Sequence, residues 1–503
     1  MARPAPPVAG AAVRTFAFDR EQPVLPRPQT VESSAGSDSD AAWSVSGNFL
    51  AKYAGICAYS TNSAIIPLID AHKRARKMLL RFAVENHLSI SERQELSFAA
   101  SSLKDLSDGL IPCSRAVDSG AVVPAVVIYG ANASGKTNLI DAVSTMRELV
   151  LWSQTKGEPS GGVSRHKFLL DPTFSQKPSC FEIDFELDDI RYHFGFETTD
   201  EAFTSEWLYE FPRAHRRKLY ERKEQFFEFG RSLKGQNNDI AGLTRSNSLF
   251  LSAAAQNGHA RLSQIYNYFR DLVFSGSISI RGIEASSRIR GDEIDSRVIE
   301  FLKLINTGVI GYQTKMTEIS ENSLSMRREL SAVIKKFVGG AVNLMPKDED
   351  QIIEIEFSHR GKDGEVVHLD LDLESAGTRR LLIILSQAFK AIDQGRAIFI
   401  DELDASLHTY ASEAILRLFC SPKVNKNGAQ LIATTHDTNL MRSHVLRRDQ
   451  LWFAEKGSEG ATEIYPLTDI RTRKGDNVEL GYLQGRYGAV PNDDPISELL
   501  ESC

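Results

Sequence analysis

Residues 130–137 read GANASGKT, a glycine-framed stretch that ends in a lysine and a hydroxyl residue and fits the pattern G-x-x-x-x-G-K-[ST]. A chain that turns sharply here can aim several backbone N–H groups at one anion, and a helix beginning at the lysine adds its positive end. Gly130, Ala131, Asn132, Ala133, Ser134 and Gly135 supply the cradle, and Asn138 lies just past it. Lys136 can neutralise the β/γ oxygens of a bound nucleotide, and Thr137 can offer its hydroxyl to Mg²⁺.

The run AIFIDE (397–402) supplies a partner for that loop. Four apolar residues carry a strand to the sheet edge, where Asp401 can hold Mg²⁺ through water and Glu402 can orient or deprotonate an attacking water. The second carboxylate favours hydrolysis over simple nucleotide binding. In ESAGTRRLL (374–382) a Ser-x-Gly turn opens a helix, so Ser375 and the backbone near Gly377 form a second anion nest; the ordinary alternative is a helix cap. One nucleotide hardly needs two nests from one subunit, so the second could serve a neighbour's. His436, in TTHDT, stands at the end of a later strand, where an imidazole can reach a γ-phosphate or can be structural.

The surrounding patterns place these residues. AVVIY (125–129) reads as a strand, and Leu139, Val143, Met146 and Val150 share one face of the helix that follows the loop. FEIDFELDDIRYHFGFE alternates about Asp188-Asp189 as a hairpin, IIEIEFSH and EVVHLDLDL form a second around RGKDG, and a helix near 408–420 separates AIFIDE from AQLIATTH (429–436). Residues 260–345 read as mostly helical, without a heptad repeat long enough for a coiled coil. Alternating strands and helices imply an α/β fold with a mainly parallel sheet covered on both faces, plus an antiparallel β subdomain and a helical insert. The 503 residues carry 42% apolar side chains, enough for a sizeable core. A net charge of −7 advertises no nucleic-acid field, which leaves only local clusters at RAHRRK (213–218) and SSRIR (286–290). Five scattered cysteines without a C-x-x-C pair argue against zinc or a disulfide framework, and no apolar run is long enough to span a bilayer. The expectation is a cytoplasmic protein without a membrane segment.

Taken together, these motifs resemble the ABC/SMC-like P-loop ATPases, with Gly130–Thr137 as Walker A, Ser375-Ala376-Gly377 as a degenerate signature, Asp401-Glu402 as Walker B, Asp404 as the D-loop aspartate and His436 as the switch histidine. Within that group the chain is most similar to the RecF/OLD-like branch and its RloA/AbiL-type ATPases linked to phage defence. The flanking stretches MLLRFAVENHLSI, LFLSAAAQNG, DELDASLH, LRRDQLWFAEK and GYLQGRYGAVP carry that likeness. The resemblance implies an ABC-ATPase-type head, ATP and Mg²⁺ as cofactors, and catalysis involving Glu402, Lys136, His436 and Asp404. It also implies a homodimer, or higher even oligomer, with ATP sandwiched head to tail. A Q-loop glutamine is not evident, Gln154 and Gln176 being the candidates.

The function expected is an ATP-hydrolysing dimeric switch in phage defence. Only 67 residues follow His436, too few for a typical nuclease domain, so a separate nuclease or toxin effector is expected. The alternatives are a DNA-repair or DNA-tethering ATPase of RecF/SMC type, or a non-hydrolysing module locked by ATP. KMLLRFAVENHLSI (77–90) reads like a beginning, so residues 1–77 are expected to be a disordered extension or upstream codons before a true start at Met78. The remaining divisions expected are 78–260 and 346–470 as the two parts of the head, 261–345 as the helical insert, and 471–503 as a C-terminal tail.

Overall fold

The computed structural model describes residues 76–103, 109–113, 119–212, 215–275, 294–318, 351–442, 444–473 and 475–490. The expectations for residues 1–75, for SSRIR and for the end of the tail lie outside these. Strand β1 (Lys77–Glu85) pairs antiparallel with β2 (Gln94–Ser97). A short ribbon of β3 (Ile111–Pro112) and β4 (Ala121–Val122) leads into β5 (Ala125–Tyr129), whose five residues are all buried. Helix α1 (Lys136–Trp152) then buries Leu139, Val143, Met146 and Val150, the face that the spacing predicts. Each such side chain withdrawn from water contributes about 1.5–3 kcal/mol, which fixes the helix and the loop at its start against the sheet.

The next strands make a meander of β6 (Ser179–Leu187), β7 (Ile190–Thr198), β8 (Phe203–Phe211), β9 (Arg217–Lys223) and β10 (Phe226–Phe229). They extend β1 and β2 into a seven-stranded sheet in the order β10-β9-β8-β7-β6-β1-β2. The β6–β7 hairpin turns on Asp188 and Asp189 at φ 55° and 62°, the left-handed pair a two-residue hairpin wants. Phe181, Ile183, Phe185, Phe194 and Phe196 point inward and share one core with α1. Three helices close this region: α2 (Asn237–Leu243), α3 (Phe250–Gln256) and α4 (Ala260–Arg270). LFLSAAAQNG is therefore a core element. The buried carboxylate of Glu206 accepts from the backbone N–H groups of Phe250 and Leu251 and so anchors α3 to β8.

The described parts of 261–345 are helical only in part, and 276–293 and 319–345 lie outside the described residues. The described parts hold the end of α4, a strand β11 (Val273–Ser275), helix α5 (Ser296–Leu304) and a ten-residue strand β12 (Val309–Glu318). VFS is too short to carry a period, and the alternation in VIGYQTKMTE is diluted by Gly311 and Lys315. Strand β12 pairs with β13 (Gln351–Arg360), which pairs with β14 (Val366–Asp370) across the predicted RGKDG turn. The end of EVVHLDLDL leaves the strand for a short 3₁₀ turn at Leu371–Leu373.

Helix α6 (Ala376–Gln394), β15 (Ala397–Ile400), α7 (Thr409–Cys420), β16 (Gln430–Thr434), β17 (Leu451–Lys456), β18 (Thr462–Pro466) and α8 (Val478–Leu483) complete the chain. The main sheet runs β11-β15-β16-β5-β17-β18, parallel except for β18. Val126 and Ile128 of β5 join the core with α1, while α6 packs on β11 and β15 and α7 on β5 and β16. The result is the expected α/β class, a mainly parallel sheet between helices beside an antiparallel sheet. Gln430 joins the two sheets: its side chain accepts from Leu79 N at 2.7 Å and donates to Leu79 O at 2.9 Å. The register sets Ile400 beside Ala433, and Ala433 beside Val127. Strands β5, β15 and β16 therefore end level, at the edge where open α/β sheets bind ligands. No helix among the described residues is long and apolar enough to cross a membrane.

Candidate functional site

The loop from β5 to α1 has a shape that its two framing glycines permit. Gly130 takes φ 154°, and a Cβ there would lie 2.2 Å from the carbonyl oxygen of Ala454. Gly135 takes φ 102°, and its Cβ would meet Thr462 Oγ1 at 2.1 Å and Ser89 Oγ at 2.8 Å. Lys136 folds back across the loop, Nζ donating to Gly130 O at 2.9 Å and to Ala131 O at 2.8 Å. Burial pushes its pKa down to about 8 against the upward pull of Asp401, Asp404 and Glu402. Ser134 Oγ is buried without a hydrogen-bond partner. A hydroxyl lacking a partner and an ammonium satisfied only by carbonyls suit a site that receives phosphate oxygens.

Asp401 follows β15 and is 2% exposed. Thr137 Oγ1 donates to its two oxygens at 3.2 and 3.1 Å, and Thr434 Oγ1 donates to Oδ1 at 2.7 Å. The same Thr434 hydroxyl accepts from Glu402 N at 2.7 Å. Glu402 is exposed and sits in the left-handed region at φ 52°, a conformation that costs a non-glycine residue about 1–2 kcal/mol. Asp404 accepts from Thr435 Oγ1 at 2.7 Å and from His436 N at 3.2 Å, so the end of β16 is fixed while the His436 side chain faces solvent. Among the described residues no group of three or more His, Cys, Asp or Glu makes a metal cage. Thr137 and Asp401, two hard oxygen donors side by side, fit an ion such as Mg²⁺ that keeps much of its water and takes the rest of its ligands from phosphate.

Ser375 caps α6: its Oγ accepts from Thr378 N at 3.1 Å and lies 2.9 Å from Thr378 Oγ1. Ser375 and Ala376 are exposed, and the hydrogen bonds of Ser375 stay within its own turn. Gly377 is needed for close approach, since a Cβ would stand 2.6 Å from the carbonyl oxygen of Ser406. One turn further, Arg380 Nη2 donates to the carbonyls of Asp401 at 2.9 Å and Glu402 at 2.5 Å. The chain thus brings the loop, Asp401, Glu402, Asp404 and His436 to one sheet edge and ties the Ser375–Gly377 turn to that edge from the side.

Sequence reasoning missed Thr434, Arg380 and Thr462. Thr462 Oγ1 donates to Ser134 O at 2.8 Å and lies 2.7 Å from Ser89 Oγ, which accepts from Asn138 Nδ2 at 2.6 Å. Asn138, read with the phosphate cradle, has its amide directed to the ENHLS turn. In that turn His87 is fully buried, with Nε2 2.9 Å from Asp141 Oδ1 on α1, so it braces the helix. Of the Q-loop candidates, Gln154 lies beyond the C-terminal end of α1, about 25 Å of helix from Lys136, and accepts from Ser248. Gln176 ends a 3₁₀ turn whose Phe174 carbonyl accepts from Asn86 of ENHLS. The C-terminal GYLQGRYGA is docked: Tyr482 and Tyr487 are buried, Tyr482 stacks on Phe453 and Tyr482 OH donates to Ala489 O. In RAHRRK the described Arg216, Arg217 and Lys218 each pair with a glutamate of their own sheet, Arg217 and Lys218 from the start of β9.

Comparison with known proteins adds a family. The family model described as "AAA domain, putative AbiEii toxin, Type IV TA system" matches residues 125–442. No curated protein matches the chain by sequence. Similar solved structures include the SMC head domain from Thermotoga maritima, 16% identical, covering 77% of this chain and 98% of that chain with a TM-score of 0.34. The recombination mediator RecF with ATP is 14% identical, with 79% and 100% covered and a TM-score of 0.31. An Smc head with an extended coiled coil, bound to the C-terminal domain of ScpA derived from Pyrococcus furiosus, is 16% identical, with 78% and 96% covered and a TM-score of 0.35.

Proposed function

This chain belongs to the AAA-domain family that its residues 125–442 match, and we propose that it is an ATP-hydrolysing switch that works as a head-to-tail dimer. The observation that carries the reading is the pairing of Thr137 with Asp401 at 3.1 Å, next to an exposed Glu402 and a phosphate-shaped loop, on one sheet edge. The loop N–H groups and Lys136 bind the β- and γ-phosphates; Lys136, whose Nζ donates to the carbonyls of Gly130 and Ala131, has a third N–H to offer them. Thr137 and Asp401 would hold Mg²⁺, which would neutralise charge on the phosphates. Glu402 accepts a proton from the attacking water, and its backbone N–H is held by Thr434 to keep the carboxylate aimed. His436, fixed through its N–H by Asp404, would offer its exposed imidazole to the γ-phosphate.

The exposed Ser375–Gly377 turn suits a phosphate brought by a second copy, because its hydrogen bonds leave its outer side open. The family's description names a putative AbiEii toxin and a type IV toxin–antitoxin system; within that reading we place the chain in phage defence, of RloA/AbiL type, with a separate effector protein. We place the protein in the cytoplasm, a reading supported by the free thiols of Cys180 and Cys420. The test is assembly: Glu402→Gln with ATP and Mg²⁺ should shift from monomer to dimer in light scattering. A protein that stays monomeric while saturated with ATP would refute the dimeric switch.

A further inference from the structure

We propose that Arg380 is a positioning residue that carries the state of the Ser375–Gly377 turn to the carboxylate of Glu402. The inference deepens the reading above and rests on it for the roles of Glu402 and of the turn. Glu402 has a left-handed backbone at φ 52°, which persists only where its surroundings over-determine it. Two contacts do so: Thr434 Oγ1 holds its N–H at 2.7 Å, and Arg380 Nη2 holds its carbonyl at 2.5 Å. The same Nη2 holds the carbonyl of Asp401, so one guanidinium nitrogen spans both carboxylate residues.

Arg380 stands on the first turns of α6, whose cap is Ser375. Gly377 packs so close to the carbonyl of Ser406, whose own φ is 60°, that a Cβ would not fit, and the start of α6 thereby abuts the loop after Glu402 as well. A phosphate seated on the Ser375–Gly377 turn draws the helix start toward it, and Arg380 is the lever that turns that movement into a rotation of the Glu402 peptide. Arg380 Nε is buried without a partner, a cost tolerated where a rearrangement supplies one. Binding at one nucleotide would in this way set the base acting on another.

The experiment uses the full chain, with ATP and Mg²⁺, and compares Arg380→Met, which keeps the stem and removes the donors, with Arg380→Lys and Ser375→Ala. Arg380→Met should lower kcat by about 100-fold, the cost of a misplaced reacting group, while ATP Kd and unfolding temperature stay near wild type. Arg380→Lys, which restores a donor, should recover to within about tenfold of wild type. Ser375→Ala combined with Arg380→Met should be no slower than Arg380→Met alone, because both interrupt one linkage. Multiplicative losses, or a kcat for Arg380→Met within about threefold of an active wild type, would overturn the proposal and leave the ATPase reading standing. A wild type that binds ATP and does not hydrolyse it would overturn the ATPase reading itself. Should Arg380→Met fail to fold, Arg380→Ala paired with Ser375→Ala gives the same cycle.

Discussion

Raising the pH above 8 should weaken ATP binding through one residue. Lys136 titrates near 8 in the empty site because burial disfavours its charge, whereas an ordinary lysine titrates near about 10.4. Phosphates around Nζ favour the ammonium, so the bound form holds its proton to a higher pH than the empty form. Below a pH of about 8 both forms are protonated and affinity is flat; above it the empty form has lost a proton that binding must take up. Kd then rises by a factor of 1 + 10^(pH − 8), roughly elevenfold at about pH 9, or about 1.4 kcal/mol. The ligand does not confound this window, since a phosphate's last ionisation lies near about pH 6. Titration calorimetry on Glu402→Gln, which suppresses turnover, would read both Kd and the proton taken up, the latter from buffers of different ionisation enthalpy. Lys136→Met should bind weakly with no such slope. A wild-type Kd that is constant across the window, or an equal slope in Lys136→Met, would refute the reasoning.

Two further outcomes follow from contacts around the site. Gly377→Ala places a methyl group 2.6 Å from the Ser406 carbonyl; relieving an overlap of that kind costs about 1–3 kcal/mol, and it should reduce ATP hydrolysis while leaving ATP affinity near wild type in a paired binding and turnover assay. Tyr482→Ala removes a buried ring stacked on Phe453 and its hydrogen bond to Ala489. It should lower stability by about 3 kcal/mol, measured as a drop in denaturation midpoint.

The parts of the fold that were legible in the sequence are those with undiluted periodicity. Ala125–Tyr129 and Ala397–Ile400 are apolar throughout because both faces of their sheet are covered, and the helical face of α1 repeats cleanly. Strand β12 was hidden by polar residues and a glycine, and it is held by β13, a partner no local pattern announces. At the site, residues whose type alone suggests the chemistry stood out: the glycines, Lys136, Asp401, Glu402. Thr434 and Arg380 act through backbone groups across 32 and 22 residues of chain, and a threonine or arginine on a secondary element says nothing of such a partner. The side-chain amide of Asn138 donates to Ser89, a contact that its place beside the loop did not announce.

The most direct test is phosphate release from ATP by the wild-type protein and by Glu402→Gln, each shown to bind ATP. Hydrolysis by the wild type that falls at least about 100-fold in Glu402→Gln, with ATP still bound, is the predicted result. A Glu402→Gln protein that turns over ATP as fast as wild type would contradict the assignment of Glu402 as the base.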